Sequence, residues 1–185
     1  MPQITFVTGN AHKLSAAQRI CSQFGVDIAQ AELDIVEIQG ETGEPIARDK
    51  AQKAYDILQK PLVVTDDTWM IPALGGFPGP YMKSVNHWFG PQQWLDLTAR
   101  LQDKTVILRQ IAVYQDEHGQ QLFTYDITGR ILDEARGPED SSNECVVSFN
   151  DEGLSSAEMR VLGRSPIGNH QTVWHEFAPW LAQRS

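Results

Sequence analysis

Short apolar runs alternate along this chain with stretches of helical periodicity, the pattern of an α/β protein. Gln3-Ile4-Thr5-Phe6-Val7 reads as a strand and Thr8-Gly9-Asn10 as a turn opening a helix. From about Ala11 to Phe24, residues Leu14, Ala17, Ile20, Cys21 and Phe24 recur at helical spacing, and Gly25 closes the element. Val26 to Ala29 predicts a second strand, which leads into an acidic loop from Glu32 to Glu44. Pro45 suits the first turn of a helix from about Ile46 to Gln59, striped by Ala47, Ala51, Ala54 and Leu58. Pro61-Leu62-Val63-Val64-Thr65 is almost continuously apolar, as expected of a strand buried on both faces.

A glycine and proline loop from Ala73 to Tyr81 follows, then a helix from Pro91 to Leu101. Thr105 to Leu108 and Ile111 to Tyr114 form one long strand. Asp116-Glu117-His118-Gly119 is a turn, and Leu122 to Ile127 returns as a hairpin that Arg130-Ile131-Leu132 extends before a loop at Gly137-Pro138. Val146 to Phe149 predicts a strand, Leu154 to Met159 a short helix or turn, and Thr172 to Ala182 a terminal helix broken or kinked at Pro179.

At 185 residues the chain is read as one domain, residues 1–185, with enough length for a sizeable core. Its net charge of −9 argues against binding a nucleic acid polymer, which needs basic patches to meet backbone phosphate. A nucleotide is not excluded, since a few local lysines and a metal can hold one. No apolar run reaches membrane-spanning length and Met1-Pro2-Gln3 does not read as the start of a signal peptide, so a cytoplasmic protein is expected. Cys21 on an apolar helix face and Cys145 in a strand predict two buried free thiols. The five histidines, His12, His87, His118, His170 and His175, are scattered and no Gly-x-Ser-x-Gly elbow accompanies them. His118 in a turn and His175 on the terminal helix are expected to face solvent.

Chemistry concentrates at two places. Asp66 and Asp67 stand at the end of the third strand, followed by Thr68, and carboxylate oxygens suit Mg²⁺, which is usually held by one or two acids together with substrate phosphates. The second place is the turn at Thr8-Gly9-Asn10. There Gly9 permits backbone angles closed to other residues, Asn10 is a good N-cap, and backbone N–H groups can face an anion. Lys13 in the first helical turn opposes the helix dipole unless something negative is near, and a phosphate would supply that.

Together, Thr8-Gly9-Asn10 with Lys13 and Leu14, Asp66-Asp67-Thr68, and the loop from Ala73 to Tyr81 with Lys83 just beyond resemble the inosine/xanthosine triphosphate pyrophosphatase family, the Ham1-like enzymes. Fainter echoes are Glu37-Ile38-Gln39-Gly40-Glu41 and Ala157-Glu158-Met159. The resemblance implies an elongated mixed β-sheet flanked by helices, two lobes with a central active-site cleft, and a homodimer. It implies hydrolysis of a nucleoside triphosphate to the monophosphate and pyrophosphate with Mg²⁺, favouring deaminated purines. On that reading Asp67 holds the metal or orients water and Asp66 supports it, with Glu37, or else Glu41, as the second metal ligand. Thr8, Gly9, Asn10, Lys13 and Thr68 meet the triphosphate. Lys50 and Lys83 neutralise charge as pyrophosphate leaves, Lys53 being the alternative to Lys50.

The chain departs from that family where the base is read. A Phe-Gly-Tyr/Trp-Asp-Pro segment is replaced around Asn143-Glu144-Cys145-Val146-Val147-Ser148, and a Ser-His-Arg triplet by Gly168-Asn169-His170. Arg164 and His170 are then the candidate base-reading residues. The alternative is a degenerate member that binds a nucleotide or a protein partner without efficient hydrolysis.

Overall fold

A computed structural model describes residues 2–138 and 142–184; Met1, part of the reading against a signal peptide, lies outside them. Among the described residues there are seven strands, β1 (Gln3–Val7), β2 (Asp27–Ala31), β3 (Leu62–Ile71), β4 (Phe77–Gly79), β5 (Thr105–Asp116), β6 (Gly119–Ile131) and β7 (Val147–Ser148). The helices are α1 (Ala11–Cys21), α2 (Gly43–Leu58), α3 (Met82–Trp88), α4 (Pro91–Thr98), α5 (Ser156–Val161) and α6 (Val173–Gln183). The strand order is β2-β1-β3-β5-β6-β7, with β4 on β3. The ladders of β1 with β2 and β3 are parallel, whereas β3–β4 and β6–β7 are antiparallel, so the sheet is mixed.

The chain divides into two compact units. The first comprises Met1–Asp67, Gln110–Tyr125 and Gln171–Ser185; the second comprises Thr68–Arg109 and Asp126–His170. In the first, alternation along the central strands sorts side chains to two cores. Ile4, Phe6, Val63, Ala112 and Tyr114 join Ala17, Ile20 and Cys21 of α1 and Trp174 and Phe177 of α6. Val7, Leu62, Val64, Ile111 and Val113 join Ala47, Ala51 and Ala54 of α2. Helices therefore cover both faces, which is why β3 reads as an unbroken apolar run. In the second unit, Trp69 of β3 meets Phe149 edge-on at 5.2 Å, and Trp94 of α4 packs with Phe77 and Phe89.

Several elements differ from the sequence reading. The first helix ends at Cys21 and a 3₁₀ turn, Ser22–Phe24, carries the chain to Gly25 at φ 72°. The second helix begins at Gly43 and closes on Gln59, and the next strand runs on from Thr65 to Ile71. The glycine and proline loop contains strand β4, and a further helix, α3, follows it and carries Lys83. Helix α4 stops at Thr98, whose hydroxyl donates to the Trp94 carbonyl at 2.8 Å and so competes with continuation. Cys145 and Val146 lie in a 3₁₀ turn instead of a strand. Helix α6 runs unbroken through Pro179. His175 is half-buried, because its ring accepts the Thr172 backbone N–H at 3.0 Å and caps α6.

Candidate active site

The parallel ladder of β1 on β3 pairs Val7 with Val64 and goes no further. One residue beyond Val7 the chain enters the Thr8–Asn10 turn, and two residues beyond Val64 come Asp66 and Asp67. The acids thus lie inside β3, not at its end, yet at the carboxyl end of its parallel pairing, where open α/β sheets present ligand sites.

The turn is held firmly from both sides. The Thr8 backbone N–H donates to the Ala31 carbonyl at 3.0 Å, and Gln30 Nε2 donates to the Thr8 carbonyl at 2.9 Å. Thr8 Oγ1 accepts the Asn10 N–H, and Asn10 Oδ1 accepts the N–H groups of His12 and Lys13 at 2.9 and 3.1 Å, as an N-cap should. Gly9 is not in the left-handed region. A Cβ there would stand 2.6 Å from the carboxylate Oε1 at the tip of the exposed Glu32 side chain, which would have to swing aside.

Lys13 extends from the first turn of α1 to Asp67, with Nζ 2.9 Å from Oδ2. Burial works to lower the Lys13 pKa, but the charge and hydrogen bond of Asp67, with Asp66 and Glu37 adding to them, raise it overall. Asp66 receives the Asp67 backbone N–H at 3.0 Å. Burial raises the Asp66 pKa, aided by Glu37 and Asp67 and opposed by Lys13 and Lys50. Lys50 of α2 meets Glu37 at 2.5 Å. Three carboxylates and two ammonium groups therefore form one electrostatic cluster within the first unit.

This geometry separates the alternatives left by the sequence. Lys50 belongs to the cluster, while Lys53 is occupied by the Val36 carbonyl at 2.8 Å and by Asp49 at 2.7 Å. Glu37 belongs to it, and Glu41 is exposed outside it. Thr68 is 3% exposed and its hydroxyl has no hydrogen-bond partner among the described residues, a buried polar atom next to the acids in sequence. The remaining candidates sit in the second unit: Lys83 is exposed on α3, His170 is exposed, and Arg164 forms a two-pronged pair with Glu152. The Ala157-Glu158-Met159 segment has a structural role there. Glu158 caps α5 by accepting the Ser155 N–H at 2.7 Å, and Ala157 and Met159 are buried. Sequence reasoning overlooked Gln30 of β2 and Glu32 just after it, whose approach to the Thr8–Gly9 turn leaves no local signal.

Among the described residues no three His, Cys, Asp or Glu side chains stand together at metal-binding spacing. The cluster nevertheless offers only hard oxygen donors beside two lysines, the donor set that suits a cation such as Mg²⁺ when phosphates complete its shell.

Residues 4–171 match the model of the Ham1 family. The chain belongs to that family. A dITP/XTP pyrophosphatase of Methanopyrus kandleri is 30% identical over 96% of this chain and 95% of its own length. An inosine triphosphate pyrophosphatase of Chaetomium globosum is 31% identical over 97% of this chain and 93% of its own. Among solved structures, a HAM1 protein from Coxiella burnetii superposes with a TM-score of 0.78 at 19% identity, covering 99% of this chain and 100% of the other. The mixed α/β fold expected from the sequence is therefore the family's fold.

Proposed function

We propose that this chain is a nucleoside triphosphate pyrophosphohydrolase, releasing pyrophosphate and a nucleoside monophosphate, with a divalent cation held at Asp67 and Glu37. Relatives named as dITP/XTP and inosine triphosphate pyrophosphatases over nearly their whole lengths support the activity. The observation that carries the reading into the structure is the cluster of Asp66, Asp67, Glu37, Lys13 and Lys50 beside the capped Thr8–Asn10 turn.

When bound, Mg²⁺ would offset phosphate charge and lower the pKa of an attached water. The chain's own residues do the rest. The Thr8 hydroxyl and the Asn10 side chain fix the turn by accepting the Asn10, His12 and Lys13 N–H groups, and the start of α1 then favours an anion through its dipole. Lys13 and Lys50 stabilise negative charge as it grows on the departing pyrophosphate. Asp67 orients the attacking water, and Asp66, less readily ionised, braces the Asp67 backbone.

A homodimer is part of the proposal, supported by exposed apolar side chains on the second unit, of which Trp88 is 70% exposed. The proposed setting is the cytoplasm, in keeping with two buried cysteines, Cys21 and Cys145, that are not joined in a disulfide. Among the described residues no helix is long and apolar enough to cross a membrane. A pyrophosphate-release screen over purine and pyrimidine triphosphates with Mg²⁺ tests the activity. Release from at least one deaminated purine is expected. Nucleotide binding without release would favour the binding-only reading, which the altered Asn143 to Ser148 segment motivates.

A further inference from the structure

We propose that the two lysines and the two metal-binding acids mask one another, so that the cation and the triphosphate each bind weakly alone and strongly together. The inference rests on the assignment of Asp67 and Glu37 to the cation and of Lys13 and Lys50 to phosphate. It arises from the pairing itself: Lys13 Nζ lies 2.9 Å from Asp67 Oδ2, and Lys50 Nζ lies 2.5 Å from Glu37 Oε1. Each acid that would hold the cation is already neutralised by a lysine that would hold phosphate.

Occupation of Asp67 and Glu37 by a cation alone releases both ammonium groups with no anion to receive them. Lys13 then loses the carboxylate that its Nζ meets at 2.9 Å and Lys50 the one it meets at 2.5 Å, and a partly buried charge stripped of its partner is costly. A triphosphate alone has the mirror problem. Drawing the lysines away leaves Asp66, Asp67 and Glu37 unneutralised beside a polyanion. With both present, the lysines pass to phosphate and the acids to the cation, and every charge keeps an opposite neighbour. Coupling of this kind is reciprocal, each ligand strengthening the other by the same factor. The lysines are thus more than phosphate contacts, since they also suppress occupation of the metal site in the absence of substrate.

Binding of each partner alone tests this without turnover. The probes are Mn²⁺ without nucleotide, and inorganic tripolyphosphate with a chelator present, both followed by calorimetry. Lys13→Met with Lys50→Met should tighten Mn²⁺ binding by at least about fivefold, and Asp67→Asn with Glu37→Gln should tighten tripolyphosphate binding by a similar factor. Lys50→Met and Glu37→Gln alone should move in the same directions and guard against a double variant that folds poorly. Unchanged or weaker binding in these variants, or no binding by any of them, overturns the proposal. A chain that fails the pyrophosphate screen but shows these shifts retains the masking and loses only the hydrolytic reading.

Discussion

Asp67 accepts the Lys13 ammonium at 2.9 Å, and its backbone is braced by the neighbouring Asp66 carboxylate. Asp67→Asn keeps the size and one acceptor but removes the charge. The fold should survive, with an unchanged circular dichroism spectrum, while hydrolysis falls at least about a hundredfold. Near-normal pyrophosphate release would remove Asp67 from the mechanism. Lys13→Ala, assayed with Mg²⁺, should weaken triphosphate binding by roughly 1.5–3 kcal/mol while leaving nucleoside binding nearly untouched, because the lost contact is charge-assisted. Equal losses for both ligands would mean that Lys13 acts through folding. Cys21 gives a residue-scale test of the core. Burial pushes its thiol up to about 12, so its contribution to stability is complete below the ordinary thiol value and is lost as pH rises toward the raised one. The urea midpoint should therefore decline from about pH 8.5 upward, and Cys21→Ala, although less stable throughout, should decline less steeply. That Asp67, Lys13 and Glu37 stand near one another was anticipated by the short motifs that carry them. Gly9 was legible only in part: its position was marked, but the Glu32 carboxylate that lies beside it, from the residue after β2, is announced by no local pattern.

At the scale of elements, periodicity identified those whose burial is simplest. Strands β1 and β5, helix α2 and helix α6 all show apolar positions that match the face they bury. Legibility failed where local chemistry pointed one way and tertiary packing the other. Glycine and proline between Ala73 and Pro80 signalled only loop, although Phe77 to Gly79 pair with β3 through Trp69, Met70 and Ile71. Pro179 signalled a break, yet α6 continues through it because Phe177, Ala178 and Leu181 are buried on both sides of that residue. Burial of this face outweighs the loss of one helical hydrogen bond. Phe177 is fully buried and meets Trp174, Phe123 and Trp180 within 5.6 to 6.2 Å. Phe177→Ala should cost about 3–5 kcal/mol in equilibrium denaturation, the range for emptying a buried aromatic site. A loss below about 1 kcal/mol would mean that α6 contributes little to the first unit.

For the whole molecule, the division of labour follows the division of the chain. The charge cluster belongs entirely to the first unit, whereas the segments that the family resemblance assigns to base recognition belong to the second. In that unit Glu144 and Arg164 are engaged elsewhere, whereas the buried Ser148 hydroxyl has no partner among the described residues and His170 is exposed. Cys145 and Val146 are buried, Glu144 is held in a two-pronged pair by Arg160, and Arg164 is held in the same manner by Glu152. Strong discrimination between bases comes from buried groups that a wrong base leaves unpaired. With Glu144 and Arg164 paired to the protein, the preference for inosine and xanthosine triphosphates over adenosine and guanosine triphosphates should be shallow, and kcat/KM for the two sets should differ by less than about a hundredfold. Sharpening it through the Gly168-Asn169-His170 segment must spare Gly168. That residue has φ 62°, and a Cβ there would meet Asn150 Cβ at 3.1 Å, so a serine would strain the turn before it touched a base. The double change Asn169→His with His170→Arg avoids the strain and should steepen the preference for a 6-oxo purine. A wild-type enzyme that already rejects adenosine triphosphate by several orders of magnitude would contradict this account, and would mean that Arg164 leaves Glu152 to read the base.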